Sequence, residues 1–97
     1  MALKKKIQKP NGLILEYHRI AMLKVETNQQ CTILVESYLN EDGRDYEKSY
    51  ARGEIKNPTF PYTDGEYLSF DYDENMNIKN AYEWLKQQPD FKGAEDV

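Results

Sequence analysis

The chain has 97 residues, 39% of them hydrophobic and 31% charged, with 13 basic against 17 acidic side chains and a formal net charge of −4. That length suits one domain and leaves no room for two. Eight tyrosines, three phenylalanines and one tryptophan exclude a disordered chain, and the acidic balance predicts no nucleic-acid binding through net charge.

Leu3 to Lys9 reads as a short strand, with Leu3 and Ile7 inward and Lys4 and Lys6 outward. The lysines are read as blocking an exposed edge in preference to contacting phosphate. Lys9-Pro10-Asn11-Gly12 is a strong turn signal, since proline restrains φ and Asn-Gly tolerates positive φ, so a hairpin is expected there. Leu13 to Glu26 is the longest candidate strand; its β-branched and aromatic content favours strand over a rival helix. Its odd positions are the more apolar, with Arg19 as the exception. A bulge near His18–Arg19 would account for that break and re-aim Ile20. Thr27 to Gln30 is a polar loop. Cys31 to Glu41 alternates again and ends in a tight turn at Glu41-Asp42-Gly43-Arg44.

The segment from Asp45 to Thr63 fits either a loose helical turn or an irregular strand, interrupted by Asn57-Pro58 and Phe60-Pro61. Asp64-Gly65 signals another turn, and Glu66 to Tyr72 a strand. Asn77 to Gln88 predicts the one helix. Ile78, Ala81, Tyr82 and Leu85 form its apolar stripe, Asn75 or Asn77 caps it and Pro89 stops it. The tail docks through Phe91 and otherwise frays. The expected fold is α+β: an antiparallel meander of four or five strands, one domain over residues 1–97, with a C-terminal helix packed on one face.

No catalytic set emerges. His18 is the only histidine and has no evident partner, which favours a structural role. The single cysteine, Cys31, excludes an internal disulfide and a cysteine-based zinc site, fits a reducing compartment and suits a small buried position. Paired carboxylates such as Asp64, Glu66 and Asp71 could serve glycoside hydrolysis, but solvated turn carboxylates are the simpler reading. Asp71-x-Asp73-x-Asn75-x-Asn77 resembles half of a calcium loop, yet Met76 stands where that loop needs glycine and Tyr82 where it needs glutamate. No metal or cofactor is expected. No apolar run is long enough for a membrane span, and the basic start Met1 to Lys6 lacks the apolar stretch of a signal peptide.

A sheet has two faces and one helix covers one of them. Ile14, Ile20, Met22, Leu34, Tyr38 and Tyr67 are the candidates for an apolar patch on the other face, with Trp84 as a further aromatic anchor. Such a patch predicts self-association or a protein partner. The alternative is that Tyr46, Tyr50 and Phe60 fold across and cover it.

Met1-Ala2-Leu3-Lys4-Lys5-Lys6-Ile7, Asn11-Gly12-Leu13, Tyr17-His18-Arg19-Ile20, Ala81-Tyr82-Glu83-Trp84-Leu85-Lys86 and Phe91-Lys92-Gly93-Ala94-Glu95-Asp96-Val97 together resemble a family of small uncharacterised proteins of tailed phages and prophages of Gram-positive bacteria. The resemblance implies a product of the tail or baseplate gene region, present in the host cytoplasm during assembly and in the virion if retained. It implies no activity and no site residue. The expectation is a non-enzymatic structural or interaction protein; the alternative is a carbohydrate- or ligand-binding module using Tyr67, Trp84 and nearby carboxylates.

Overall fold

The computed structural model describes residues 1–10, 12–53 and 63–97. Asn11, Ile55, Asn57-Pro58 and Phe60-Pro61 lie outside the described residues, as does the side chain of Tyr46. The fold is α+β, built on a five-stranded antiparallel sheet. In chain order the elements are β1 (Leu3–Gln8), β2 (Ile14–Glu26), β3 (Gln30–Tyr38), α1 (Glu41–Ala51), β4 (Thr63–Asp71), α2 (Ile78–Lys86), a 3₁₀ turn (Pro89–Phe91) and β5 (Glu95–Asp96). The sheet order is β4-β3-β2-β1-β5. The first four strands therefore form the expected meander, and β5 adds to its far side.

Two connections are tight for local reasons. Gly12, at φ 88°, donates its N–H to the Lys9 carbonyl at 2.9 Å, closing the β1–β2 turn in a conformation that favours glycine. Asn28, at φ 58°, turns β2 into β3, and the Gln29 N–H bonds the Glu26 carbonyl at 3.0 Å.

A second helix corrects the sequence reading. The third strand ends at Tyr38, and the expected turn at Glu41–Arg44 is the first turn of α1. Asn40 stays extended and its Oδ1 accepts the Gly43 N–H at 3.1 Å; Glu41 and Asp42 follow where the helix dipole favours acid. A cap and a strand-ending turn use the same residue types, so the sequence alone does not separate them. Asp64-Gly65 is likewise no turn: both lie within β4, Gly65 opposite Glu36. Nor does the tail fray beyond Phe91. Glu95 and Asp96 pair with Lys4 and Leu3, and Ala2 and Val97 exchange backbone bonds of 3.1 and 3.0 Å. β1 is therefore not a free edge at Leu3–Lys4.

Register against β1 shifts between Lys4 and Ile7, opposite Tyr17 and Leu15, and the bulge within β2 itself lies after the expected position. Register shifts between Ile20 and Met22 on β2, opposite Val35 and Leu34. Alternation then puts His18 and Ile20 on the α2 face before the shift and Leu23 after it, while Met22 turns to the other face. The odd positions thus do not form one apolar face along the strand.

The core lies between the sheet and α2: Leu3, Ile20, Ile33, Val35, Ala81, Tyr82, Leu85 and Phe91. Asn77 caps α2 through Oδ1, which accepts the Asn80 N–H at 2.8 Å. Ile78, expected in the stripe, is exposed at the first turn; Ala81, Tyr82 and Leu85 carry the buried face. The Tyr82 hydroxyl accepts the Ile20 N–H at 2.8 Å and donates to the Met1 carbonyl at 2.9 Å. Leu3 pairs with His18, so a regular ladder would set Met1 opposite Ile20. The phenol stands between them and satisfies both backbone groups.

Replacing Leu85, fully buried, by alanine should lower the unfolding free energy by about 2–5 kcal/mol. Tyr82→Phe keeps the ring but leaves two backbone groups without a partner, at a cost of about 1–3 kcal/mol. Urea denaturation measures both; a loss near zero for Leu85→Ala would contradict α2 as the core helix.

Candidate interaction surfaces and the buried His18–Ser37 pair

Alternation along β3 and β4 sorts the side chains below α2 from those on the far face. On the far face, register aligns Met22 with Leu34 and Leu34 with Tyr67 across three strands. Tyr67 is 66% exposed and Met22 38%. Thr32 and Ser69 continue the surface as a polar pair, their hydroxyls 3.1 Å apart. Gly65 leaves the space beside Leu34 open: a Cβ there would lie 3.6 Å from Leu34 Cδ1.

The remaining expected interface residues separate from this row. Ile20 is buried under α2, because the bulge places it on the opposite face from Met22. Tyr38 is fully buried. Its ring packs edge-on to Tyr17 with centroids 6.0 Å apart, and its hydroxyl accepts from Arg19 Nε at 3.0 Å and donates to Glu36 Oε2 at 2.9 Å. Burial, above all, holds this phenol well above its usual pKa. Arg19 also bonds Glu36 Oε2 through Nη2 at 3.0 Å, which explains a charge among apolar odd positions: it sits across from its carboxylate. Ile14 is exposed but pairs with Gln8 at the start of β2, away from the row. Trp84 lies on the α2 side, stacked on Phe70 with centroids 4.3 Å apart and planes at 24°. The cover expected from Tyr46, Tyr50 and Phe60 falls largely outside the described residues, Phe60 and the side chain of Tyr46 being among those left out; Tyr50, on α1, is 44% exposed.

His18 has a partner that sequence spacing did not reveal. Its Nε2 lies 2.7 Å from the Lys5 carbonyl, which can only accept, so Nε2 carries the proton. Nδ1 is then the acceptor, and Ser37 Oγ donates to it at 2.7 Å. Register shows the cause: His18 sits directly opposite Ser37 on β3. Phe91 packs edge-on to the imidazole with centroids 5.2 Å apart. His18 is fully buried and Ser37 2% exposed, so the pair presents no nucleophile to a substrate. Burial chiefly lowers the His18 pKa, with the positive charge of Lys9 adding to it against the Lys5 carbonyl bond. Lys9 itself reaches from the end of β1 to Asp64 at 3.4 Å on β4, although β2 and β3 separate those strands in the order, so the sheet curls at this end.

The calcium-like run folds as a strand end, a side-chain-bonded turn and one helix cap. Asp73 Oδ1 accepts the Asn75 N–H at 2.9 Å, Asn77 caps α2 and Met76 packs against the core. Among the described residues no three His, Cys, Asp or Glu side chains converge for a metal. A depression of ≈ 210 Å³ beside the start of α1 is lined by Lys4, Glu16, Tyr17, Asn40, Glu41 and Asp42 and holds the 3.6 Å Lys4–Glu16 pair. No helix among the described residues is long and apolar enough to cross a membrane.

No protein-family model, no curated protein and no solved structure matches this chain.

The His18 shift has a definite sign. A lowered folded-state pKa means that below about pH 6.5 the unfolded chain binds the proton more readily than the folded one. His18 should therefore lower stability as pH falls through that value, by up to about 1.4 kcal/mol per pH unit until the folded pKa is passed. His18→Gln can keep both bonds without titrating. The stability of the native chain minus that of the variant should be flat above pH 7.5 and fall steadily towards pH 5.5 (on the order of one unit either side of the reference value). A difference that stays level or grows on acidification would refute the buried neutral imidazole.

Proposed function

We propose that this chain is a non-enzymatic interaction protein, a tail- or baseplate-associated component or accessory of a tailed phage, acting through the far face of its sheet. The observation that carries the interaction role is the in-register row Met22–Leu34–Tyr67, an apolar ridge across three strands with Tyr67 66% exposed. Apolar surface of this kind, in a rigid sheet, is what protein interfaces use at their centre. The phage assignment rests on the resemblance in the two ends of the chain. It implies the host cytoplasm during assembly and, if the protein is retained, the virion. The burial of the only histidine and of the serine it bonds supports a role without catalysis.

The carbohydrate reading loses its platform. It needs Tyr67 and Trp84 to offer rings to one ligand, but alternation puts Tyr67 on the far face, while Trp84 stacks on Phe70 on the α2 face.

Tyr67→Lys combined with Met22→Lys changes exposed positions and should leave stability within about 0.5 kcal/mol. Light scattering at micromolar concentration should show the native chain associated and the double variant monomeric, or, where the partner is another virion protein, the native chain in purified particles and the variant absent from them. A native monomer whose variant enters particles equally well would overturn the assignment of this face.

A further inference from the structure

The outer strand and the helix beside it form a second surface. β4 is the terminal strand of the sheet, so over nine residues its outward amides and carbonyls have no strand partner among the described residues. Beside this edge, on the α2 face, two open concavities of ≈ 560 and ≈ 290 Å³ share Trp84 as a common wall. Leu68 and Phe70 form the floor between them, both only partly buried against the core. Together they make one groove running along β4, with apolar pockets on either side of an indole.

Charge selects the occupant. Asp71 and Asp73 line the larger concavity and Glu66 and Asp90 the smaller, and no lysine or arginine lines either among the described residues. Lys9 engages Asp64 and, at 3.9 Å, Glu66, but Asp71, Asp73 and Asp90 are exposed with no cation partner among the described residues. The strand itself, Thr-Asp-Gly-Glu-Tyr-Leu-Ser-Phe-Asp, has three carboxylates and no basic residue. A second copy of β4 would set like charges opposite one another, which is destabilising. A basic strand would meet opposite charges.

We infer that the β4–α2 groove binds an extended, basic segment of a partner protein, which adds to the β4 edge as a sixth strand. Its backbone would pair with β4. Alternate side chains would enter the pockets flanking Trp84, where its lysines or arginines would lie against Asp73 and Asp90. The inference deepens the interaction role proposed above but uses the opposite face, so each surface can fail without the other.

The test uses the full chain and a nine-residue blocked peptide of alternating lysine and valine. Trp84, the only tryptophan, reports occupancy of the groove by its emission. Two control peptides carry either glutamate for lysine or a proline at the centre with every lysine kept. The expected result is a saturable change in Trp84 emission with the lysine peptide, weakened by salt and absent with the glutamate peptide. The proline peptide should also fail, because it keeps the charge and loses strand pairing. Asp73→Asn with Asp90→Asn should weaken binding about tenfold, the size of two exposed ion pairs. Met22→Lys, on the far face of β2 and two strands from the β4 edge, should leave it unchanged, with circular dichroism confirming that each variant is folded. No saturable response to the lysine peptide, or equal binding of the proline peptide, or indifference to the aspartate changes would overturn the inference. Loss of binding in Met22→Lys alone would place the site on the far face instead.

Discussion

The hydroxyl of Tyr82 occupies the point where β1 and β2 part, and much of the structure depends on that contact. The β1–β2 ladder reaches Leu3 opposite His18 and goes no further as a direct pair. The phenol takes the next place, accepting from Ile20 and donating to the Met1 carbonyl. A buried amide and a part-buried carbonyl without partners would be costly, so the helix that carries Tyr82 is held at one height on the sheet. Ala81 and Leu85, neighbours of Tyr82 on the same helical face, then meet Leu3, Ile20, Ile33 and Val35. One residue later, β2 shifts register between Ile20 and Met22. The hydrogen bond and the bulge together decide which side chains of the longest strand are core.

That shift also creates the difference between the two faces. Ile20 goes under α2, and Met22 joins Leu34 and Tyr67 on the far side. Without the extra residue, alternation would have carried Met22 to the same face as Ile20 and left the ridge without its β2 member. The polar members of the sheet follow a parallel logic. Arg19, Glu36 and Tyr38 bond one another on one face, and His18 and Ser37 on the other, each group made of residues that register sets across from one another or two apart. No buried polar side-chain atom among the described residues lacks a partner. Polar side chains inside a small domain are therefore satisfied across strands instead of being held ready for a ligand.

The edges of the sheet are unequal. On one side β5 covers only Leu3 and Lys4, and Lys5 anchors the loop before it by donating to the Lys92 carbonyl at 2.6 Å. On the other side β4 runs nine residues with acidic side chains and an aromatic wall beside it. Lysine at one edge and carboxylate at the other are both ways to resist edge-to-edge growth with identical copies. The acidic edge differs in having apolar pockets next to it, and pockets are what convert a protected edge into a selective one.

Local chemistry in the sequence was enough to determine the strands of the meander, the turns joining the first three of them and the C-terminal helix, but not the turns expected at Glu41–Arg44 and Asp64-Gly65. Pro10 with Gly12 marks a turn, alternating residues mark strands, and Asn77 with the stripe through Leu85 marks a helix; each signal acts over a few residues. The second helix was not legible because Asn40, Glu41 and Asp42 serve equally as a strand-ending turn or a helix start, and only packing of the following turns against β2 and β3 separates the two. Among the expected interface residues, Met22, Leu34 and Tyr67 converge, while Ile20 and Tyr38 are buried and Trp84 faces the other way. Pattern along one strand specifies a face only as long as the pleat is regular, and a one-residue shift exchanges the faces beyond it. His18 and Ser37 are nineteen residues apart in the chain, and cross-strand register alone brings Nδ1 and Oγ to 2.7 Å. Contacts between strands depend on where each strand starts against its neighbour, and that is a property of the packed sheet, not of any segment read by itself.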